Sequence, residues 1–414
     1  MRPFILFAVL GLAVSANAGP FDAGHKHGDD DAEEAPFKLS GLLDLRYAYT
    51  GKAQSSFQGG TSKLRYGGRD IDSNNTGDRR ASSFAVSQAS IVLDAPVPSV
   101  ADVHVQLNVD SDPNMGTGAV GLVEGYARTV SKSSAGTFVF RAGALIPPVS
   151  WEHPENAWST HYTLTPSMIG SWIGEDLRVV GAEASFERAF GSHSARVTGA
   201  VFGGGDNIGW VLANRGWAMH DYQANLNTTL PVAPPAGGGP DQPFREFDGR
   251  AGYYGRLNLS LFDSLVKVGG GYFDNRGDSK ADDQSGPATW NWPWHTFFYD
   301  YGAKFEWRRL SLIAQLLHGD TQNQFTPKRT FQSYYGLAAY HLPKGVTVSG
   351  RYDYFKVTTL EKGSAMTADL QWDMNARQRV SAEYIEIKAK PNLLTAPKSE
   401  TDRLFQLNWR VKFG

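Results

Sequence analysis

Residues 402–413 read DRLFQLNWRVKF. From Phe405 onward, Phe405, Leu407, Trp409, Val411 and Phe413 alternate with Gln406, Asn408, Arg410 and Lys412. Strict alternation is the period of a β-strand with one apolar and one polar face. The same pattern recurs at 103–110, where Val103, Val105, Leu107 and Val109 alternate with His104, Gln106, Asn108 and Asp110. Near the start, Leu39, Gly41, Leu43, Leu45, Tyr47 and Tyr49 lie opposite Asp44 and Arg46. Phe297 to Trp307 places Asp300, Lys304 and Glu306 on one face, and Val346 to Tyr354 does the same with Arg351 and Asp353.

Strands of soluble proteins are about 5–6 residues long. These run to roughly 10–13, the length that crosses a bilayer when the strand is tilted by ~45°. Counting outward gives about sixteen such segments, at 38–49, 82–94, 101–111, 121–131, 137–146, 177–188, 194–203, 248–261, 265–274, 296–308, 310–318, 332–342, 345–356, 364–374, 377–388 and 402–413. The connections alternate between long and short, the long ones including 50–81, 147–176 and 204–247. Short periplasmic turns opposite long extracellular loops define a transmembrane barrel. The expected fold is therefore all-β: a closed transmembrane antiparallel β-barrel over residues 37–414.

Composition agrees. Gly 45, Phe 23, Tyr 17 and Trp 11 make the chain rich in glycine and aromatics. Mean hydropathy is only −0.35, as expected when alternate residues face lipid and water. Aromatics gather near strand ends: Tyr47, Tyr49, Tyr272, Tyr352 and Tyr354 toward one rim, Phe138, Trp307, Tyr340, Trp372 and Phe413 toward the other. Forty basic against 42 acidic residues leave a formal charge of −2, which argues against a nucleic-acid partner. With no cysteine, thiolate metal sites and cysteine nucleophiles are excluded.

Residues 1–18 carry Arg2, an apolar stretch from Phe4 to Val14 and Ala16-Asn17-Ala18, the pattern of a cleaved signal peptide. Residues 19–36 hold His25, His27 and a run of acids. They read as a disordered periplasmic tail, and metal binding by the two histidines is the less favoured reading.

With the apolar faces toward lipid, Arg46, Arg128, Arg141, Arg196, Arg256, Lys304, Arg351, Arg379, Glu124 and Asp300 are expected to line the lumen. Their signs are mixed, with no single-sign ring of the kind that sets ion selectivity. Loop 147–176 carries Trp151, Glu152, His153, Glu155, Trp158 and His161, and no Lys or Arg. It is expected to fold inward as a constriction, its acids facing the wall arginines.

Glu124-Gly125-Tyr126, Arg141-Ala142-Gly143, Pro147-Pro148, Trp151-Glu152 and Gly174-Glu175-Asp176-Leu177-Arg178 with Gly181 resemble the middle of the phosphate-selective porin (O and P type) group. The likeness covers roughly residues 120–190. It implies a sixteen-stranded barrel with an inward third loop, in a group whose relatives trimerise. Phosphate-selective members crowd lysine and arginine at the constriction, whereas the matching loop here is acidic, which counts against phosphate selectivity.

The leading expectation is an outer-membrane porin: a passive diffusion channel for small hydrophilic solutes or ions, at most weakly selective, meeting lipid and lipopolysaccharide as a homotrimer. The alternative is a closed or narrow barrel that binds a ligand or surface through its aromatic loops, with Trp151, Trp158, Trp172, Trp210, Trp217, Trp290, Trp292 and Trp294 as its contacts. Loop 204–247 reads as partly mobile or as a latch on a neighbouring subunit. No enzyme signature, cofactor motif or plug domain is read from the sequence; Ser192-His193 lies in a short turn.

Overall fold

The computed structural model describes residues 37–58, 60–68, 80–97, 101–109, 120–228, 244–280, 292–391 and 400–414. His25, His27, Asp110 and Trp290 lie outside them. Sixteen strands follow in chain order: β1 (Lys38–Thr50), β2 (Ser82–Val97), β3 (Ala101–Val109), β4 (Val120–Ser133), β5 (Gly136–Leu145), β6 (Val179–Phe190), β7 (His193–Gly203) and β8 (Gly252–Leu261). The second half comprises β9 (Val266–Asp274), β10 (His295–Trp307), β11 (Leu310–Gln322), β12 (Arg329–Leu342), β13 (Val346–Val357), β14 (Glu361–Asn375), β15 (Gln378–Pro391) and β16 (Glu400–Phe413). Each pairs antiparallel with its sequence neighbour, and β1 closes on β16 with Gly41 opposite Phe413 and Thr50 opposite Leu404. Closure satisfies every edge, the condition for a sheet to stand in hydrocarbon.

The alternation sorts the side chains as the sequence requires. On β16 the outward Phe405, Leu407, Trp409 and Phe413 are exposed, while Gln406, Asn408 and Arg410 are buried inside. Both aromatic girdles face outward; Tyr49 and Tyr352 sit at the upper rim, Trp307, Tyr340 and Trp372 at the lower. An apolar outer belt between aromatic rims around a closed barrel places the chain in the outer membrane.

Observed strands differ from expectation mainly at the extracellular ends. β11 continues to Gln322, β12 starts at Arg329, β14 at Glu361 and β15 reaches Pro391. Above the lipid the outward side chains no longer need to be apolar, so alternation fades while strand pairing continues. At the periplasmic end the described turns are tight. Between β12 and β13, Lys344 and Gly345 adopt φ of 64° and 75°, and a Cβ on Gly345 would lie 2.6 Å from the Asp373 carbonyl oxygen. No described helix is long and apolar enough to cross a membrane.

Candidate functional site: the lumen and its inward loops

The β5–β6 connection enters the barrel. It descends from Leu145, reaches the periplasmic end, and climbs back as helix α1 (Met168–Glu175). Its depth is fixed by wall contacts: Arg410 on β16 donates to the Thr160 carbonyl at 3.2 Å, Arg379 near the start of β15 to that of His161 at 3.1 Å, and Tyr162 to Glu306 near the foot of β10 at 3.1 Å.

Within the loop, Trp151 lies beneath the Arg256 guanidinium and against Gly302. A Cβ at position 302 would stand 2.2 Å from the Trp151 indole nitrogen, so glycine is the residue that leaves room for the ring. His153 stacks on Trp158 with ring centres 3.6 Å apart. Glu155 gathers Arg379 at 3.4 Å, Lys412 and His161. Glu152 accepts from the Ser167 amide and hydroxyl and from Arg351 at 3.1 Å.

Arg351 on β13 is the principal attachment. It is fully buried, and its guanidinium donates to Asp353 at 2.8 Å, Glu152 at 3.1 Å, Thr163 Oγ1 at 3.0 Å, the Thr165 carbonyl at 2.8 Å and the Pro166 carbonyl at 2.9 Å. One wall residue thus holds both the descending and the ascending limb. A guanidinium has five N–H donors in a fixed fork, which a lysine cannot reproduce.

The ascending limb is closed by Arg178. Buried beneath α1, it donates to the carbonyls of Ile173 at 2.8 Å, Gly174 at 2.6 Å and Leu177 at 3.0 Å. The first two are acceptors that a helix leaves unpaired at its C-terminal end, and the third lies just beyond it. Arg178→Met keeps the apolar stem and removes the donors. The expected cost is roughly 1–3 kcal/mol, seen as faster amide exchange over 168–178 with the strand amides unchanged.

A second connection, between β7 and β8, also enters. Of the loop read as partly mobile or as an intersubunit latch, residues 206–228 fold into the lumen, while 229–243 lie outside the described residues. Arg215 forms a two-point pair with Glu175 of α1, and His220 contacts the same carboxylate at 2.9 Å. Asp221 pairs with Arg46 at 2.7 Å and Arg65 at 3.0 Å. Gln223 accepts from Gln106 and donates to the carbonyls of Ala157 and Trp158. The two loops therefore brace each other as well as the wall.

Most of the other lumen cations are paired too. Arg141 meets Glu183 at 2.7 Å and Glu124 at 3.8 Å, Arg128 meets Asp102 at 3.1 Å, Lys304 meets Glu306 at 2.9 Å, and Arg256 and Arg196 contact Asp300 and Glu187. Burial is uneven. Arg46, Arg351 and Arg379 are covered, whereas the Arg128 and Arg196 side chains are 37% and 39% exposed. The lower lumen beside β3–β7 is thus an open vestibule, and the side beside β13–β16 is occupied by loop. Toward the extracellular end Trp172, Trp217, Phe298 and Phe331 form an apolar layer with ring centres 5.4–6.3 Å apart. Two small cavities, both bordered by Gln88, Asp221, Tyr222 and Gln223, offer about 10 and 20 Å³ of space to water, room for one or two molecules.

Every constriction and pore-lining candidate among the described residues lies within the barrel, on the wall or on the inward loop. Sequence reading gives no lumen role to Arg178, Arg215, Asp221 or Trp217. The signal they offer is an arginine, an acid or a tryptophan in a nominally extracellular loop or at its end. The aromatic loop candidates mostly lie inside: Trp172, Trp210, Trp217 and Trp294 are buried. Trp292 packs edge-on against the exposed Phe325 at 4.4 Å.

At the extracellular end, Asp206, Glu246 and Asp248 bring carboxylate oxygens within 4.8 Å of one another. Burial pushes the Asp206 carboxyl up to about 7, with Glu246 and Asp248 adding to the rise against the amides of Phe247 and Asp248. A raised folded-state value means the folded form binds the proton more tightly. The stabilisation is full below the unfolded value near 3.8 and is lost as pH rises through about 7. Amide protection at 245–249, corrected for intrinsic exchange, should therefore fall as pH rises from about 4 to about 7. Asp206→Asn should abolish that dependence.

No protein-family model matches the chain, and no curated protein sequence matches it. Solved structures do. The outer membrane channel DcaP of Acinetobacter baumannii is similar at 10% identity and TM-score 0.54, over 91% of this chain and 97% of that one. An anion-selective porin from Comamonas acidovorans is similar at 11% identity and TM-score 0.52, over 91% and 99%. OmpT, an outer membrane protein of Vibrio cholerae in a trimer form, is similar at 9% identity and TM-score 0.52, over 91% and 99%. The fold is that of the porin barrels.

Proposed function

We propose that this protein is an outer-membrane porin: a narrow, passive diffusion channel for small hydrophilic solutes or ions, constricted in this conformation by its two inward loops. The observation that carries the reading is the lumen wall. It is polar and charged around the barrel, opens into a vestibule at the periplasmic end, and holds the loops by side-chain pairs instead of strand pairing. Such attachments release without unfolding the barrel. Because nearly every lumen cation has an acidic partner, selectivity is weak and phosphate is not favoured over chloride. The barrel assembles as a homotrimer, a reading supported by the similar barrel described in a trimer form. Residues 1–18 serve as its export signal and 19–36 as a periplasmic tail.

In planar bilayers the folded protein should give small conductance steps, with a reversal potential near zero under a KCl gradient. Replacing residues 150–166 by a short glycine-serine linker should raise the step several-fold. Liposome swelling with sugars and amino acids reads the same difference for neutral solutes. Absence of conductance from both proteins, each folded, would leave the closed barrel as the better reading. That second reading draws on the apolar layer formed by Trp172, Trp217, Phe298 and Phe331, which offers a solute no polar contact.

A further inference from the structure

On the outer wall, above the aromatic rim, Lys356 of β13 stands opposite Lys362 of β14, and Lys362 stands opposite Lys390 of β15. All three side chains face outward and are exposed. Like charges directly opposite on neighbouring strands repel, so a row of three is a place where a bound anion is stabilised. No acidic side chain pairs with any of them among the described residues. One level lower the wall treats its cations differently: Glu386 accepts from Lys388 at 3.0 Å and from Arg403 at 2.8 Å. The upper row is the one left without an internal anion.

Its height is informative. Lys356 is the next outward residue above Tyr354, and on β14 ten residues separate Lys362 from Trp372 of the lower rim. At about 3.4 Å per residue and a tilt of ~35–45°, that spans roughly 24–28 Å of depth. The row therefore lies just beyond a hydrocarbon belt ~25 Å tall, at the level of the outer-leaflet headgroups. Lysine stems can lie along the apolar wall while their ammonium groups reach that layer.

We propose that Lys356, Lys362 and Lys390 form a binding site for the phosphate groups of a phosphorylated glycolipid in the outer leaflet. The assignment rests on the membrane reading above and adds the ligand's chemistry and its location. The apolar wall below, with Tyr352, Tyr354 and Met366 exposed or half-buried, takes the acyl chains. The three ammonium groups neutralise the phosphates, and Glu386 keeps Lys388 and Arg403 from competing for them.

The test compares the wild-type barrel with Lys356→Gln/Lys362→Gln/Lys390→Gln. Both are first checked for the heat-dependent gel shift of a folded barrel; failure of that shift in the wild type would count against the membrane reading and is distinct from any lipid-retention outcome. Folded proteins in detergent are then titrated with bisphosphorylated lipid A, with its dephosphorylated form, and with sodium phosphate, and retention is read by native mass spectrometry. The wild type should retain the bisphosphorylated lipid preferentially. The triple variant should retain it roughly 100-fold less, at about fivefold per lysine near a charged surface, and sodium phosphate should not displace it. Equal retention by both proteins, or by both lipid forms, would overturn the proposal. So would displacement by millimolar phosphate, which would make the site one for the free anion. Loss of the oligomer in the variant with lipid retention unchanged would assign the row to a second copy of the chain instead.

Discussion

Arg351→Ala is expected to free the third loop from the wall while leaving the barrel closed. The substitution strands Glu152 and Asp353 as buried carboxylates and removes the donors to Thr163, Thr165 and Pro166. Breaking a buried ion pair from one side costs about 3–5 kcal/mol. Arg351 keeps its backbone pairing with Leu337 and Thr367 when only its side chain is removed, so the cost falls on the loop's seat. The measurable consequences are a several-fold larger single-channel conductance and faster proteolysis between 150 and 175, with an unchanged gel shift of the folded barrel. Arg351→Lys should lie between, since an ammonium restores the charge but not the five-donor fork. A double-mutant cycle with Glu152→Gln isolates their coupling. Unchanged conductance and proteolysis in Arg351→Ala would show that the loop is held elsewhere.

Leu407→Arg should impair assembly of the whole barrel. Leu407 faces outward on β16, four residues below Arg403 and six above Phe413, and is 44% exposed. Arginine at the bilayer midplane of such a barrel costs about 2–4 kcal/mol, falling to about 0–1 near the interface. Thr401→Arg, at the outer rim of the same strand face, is the matched control. Urea midpoints in lipid vesicles should separate the two, with Leu407→Arg lower. Equal midpoints would mean that the outer face of β16 does not meet hydrocarbon. Together the two substitutions test opposite faces of one wall, an arginine removed inside and an arginine added outside.

The strands are readable because their cause is local. Whether Leu407 or Asn408 faces lipid depends only on the alternation within 402–413, and the turn at Lys344-Gly345 on a few neighbouring residues. The long third loop announces its place through its position after the fifth strand and its lack of cations, and Glu152 and Glu155 do meet wall arginines. The fourth loop does not. Trp217, His220 and Asp221 look like ordinary residues of an extracellular loop until Arg46, Arg65 and Glu175 stand beside them.

Sequence alone, then, determined how many times the chain crosses the membrane, which side chains meet lipid, and where long loops emerge, because a two-residue period needs no knowledge of distant residues. Only the tertiary structure decided how full the lumen is and which charges neutralise one another. Arg351 and Glu152 are 199 positions apart, and Asp44 and Arg410 are 366 apart. Such pairs exist only after the last strand closes on the first, since closure brings opposite walls and both inward loops into one enclosed space where each buried charge must find a partner.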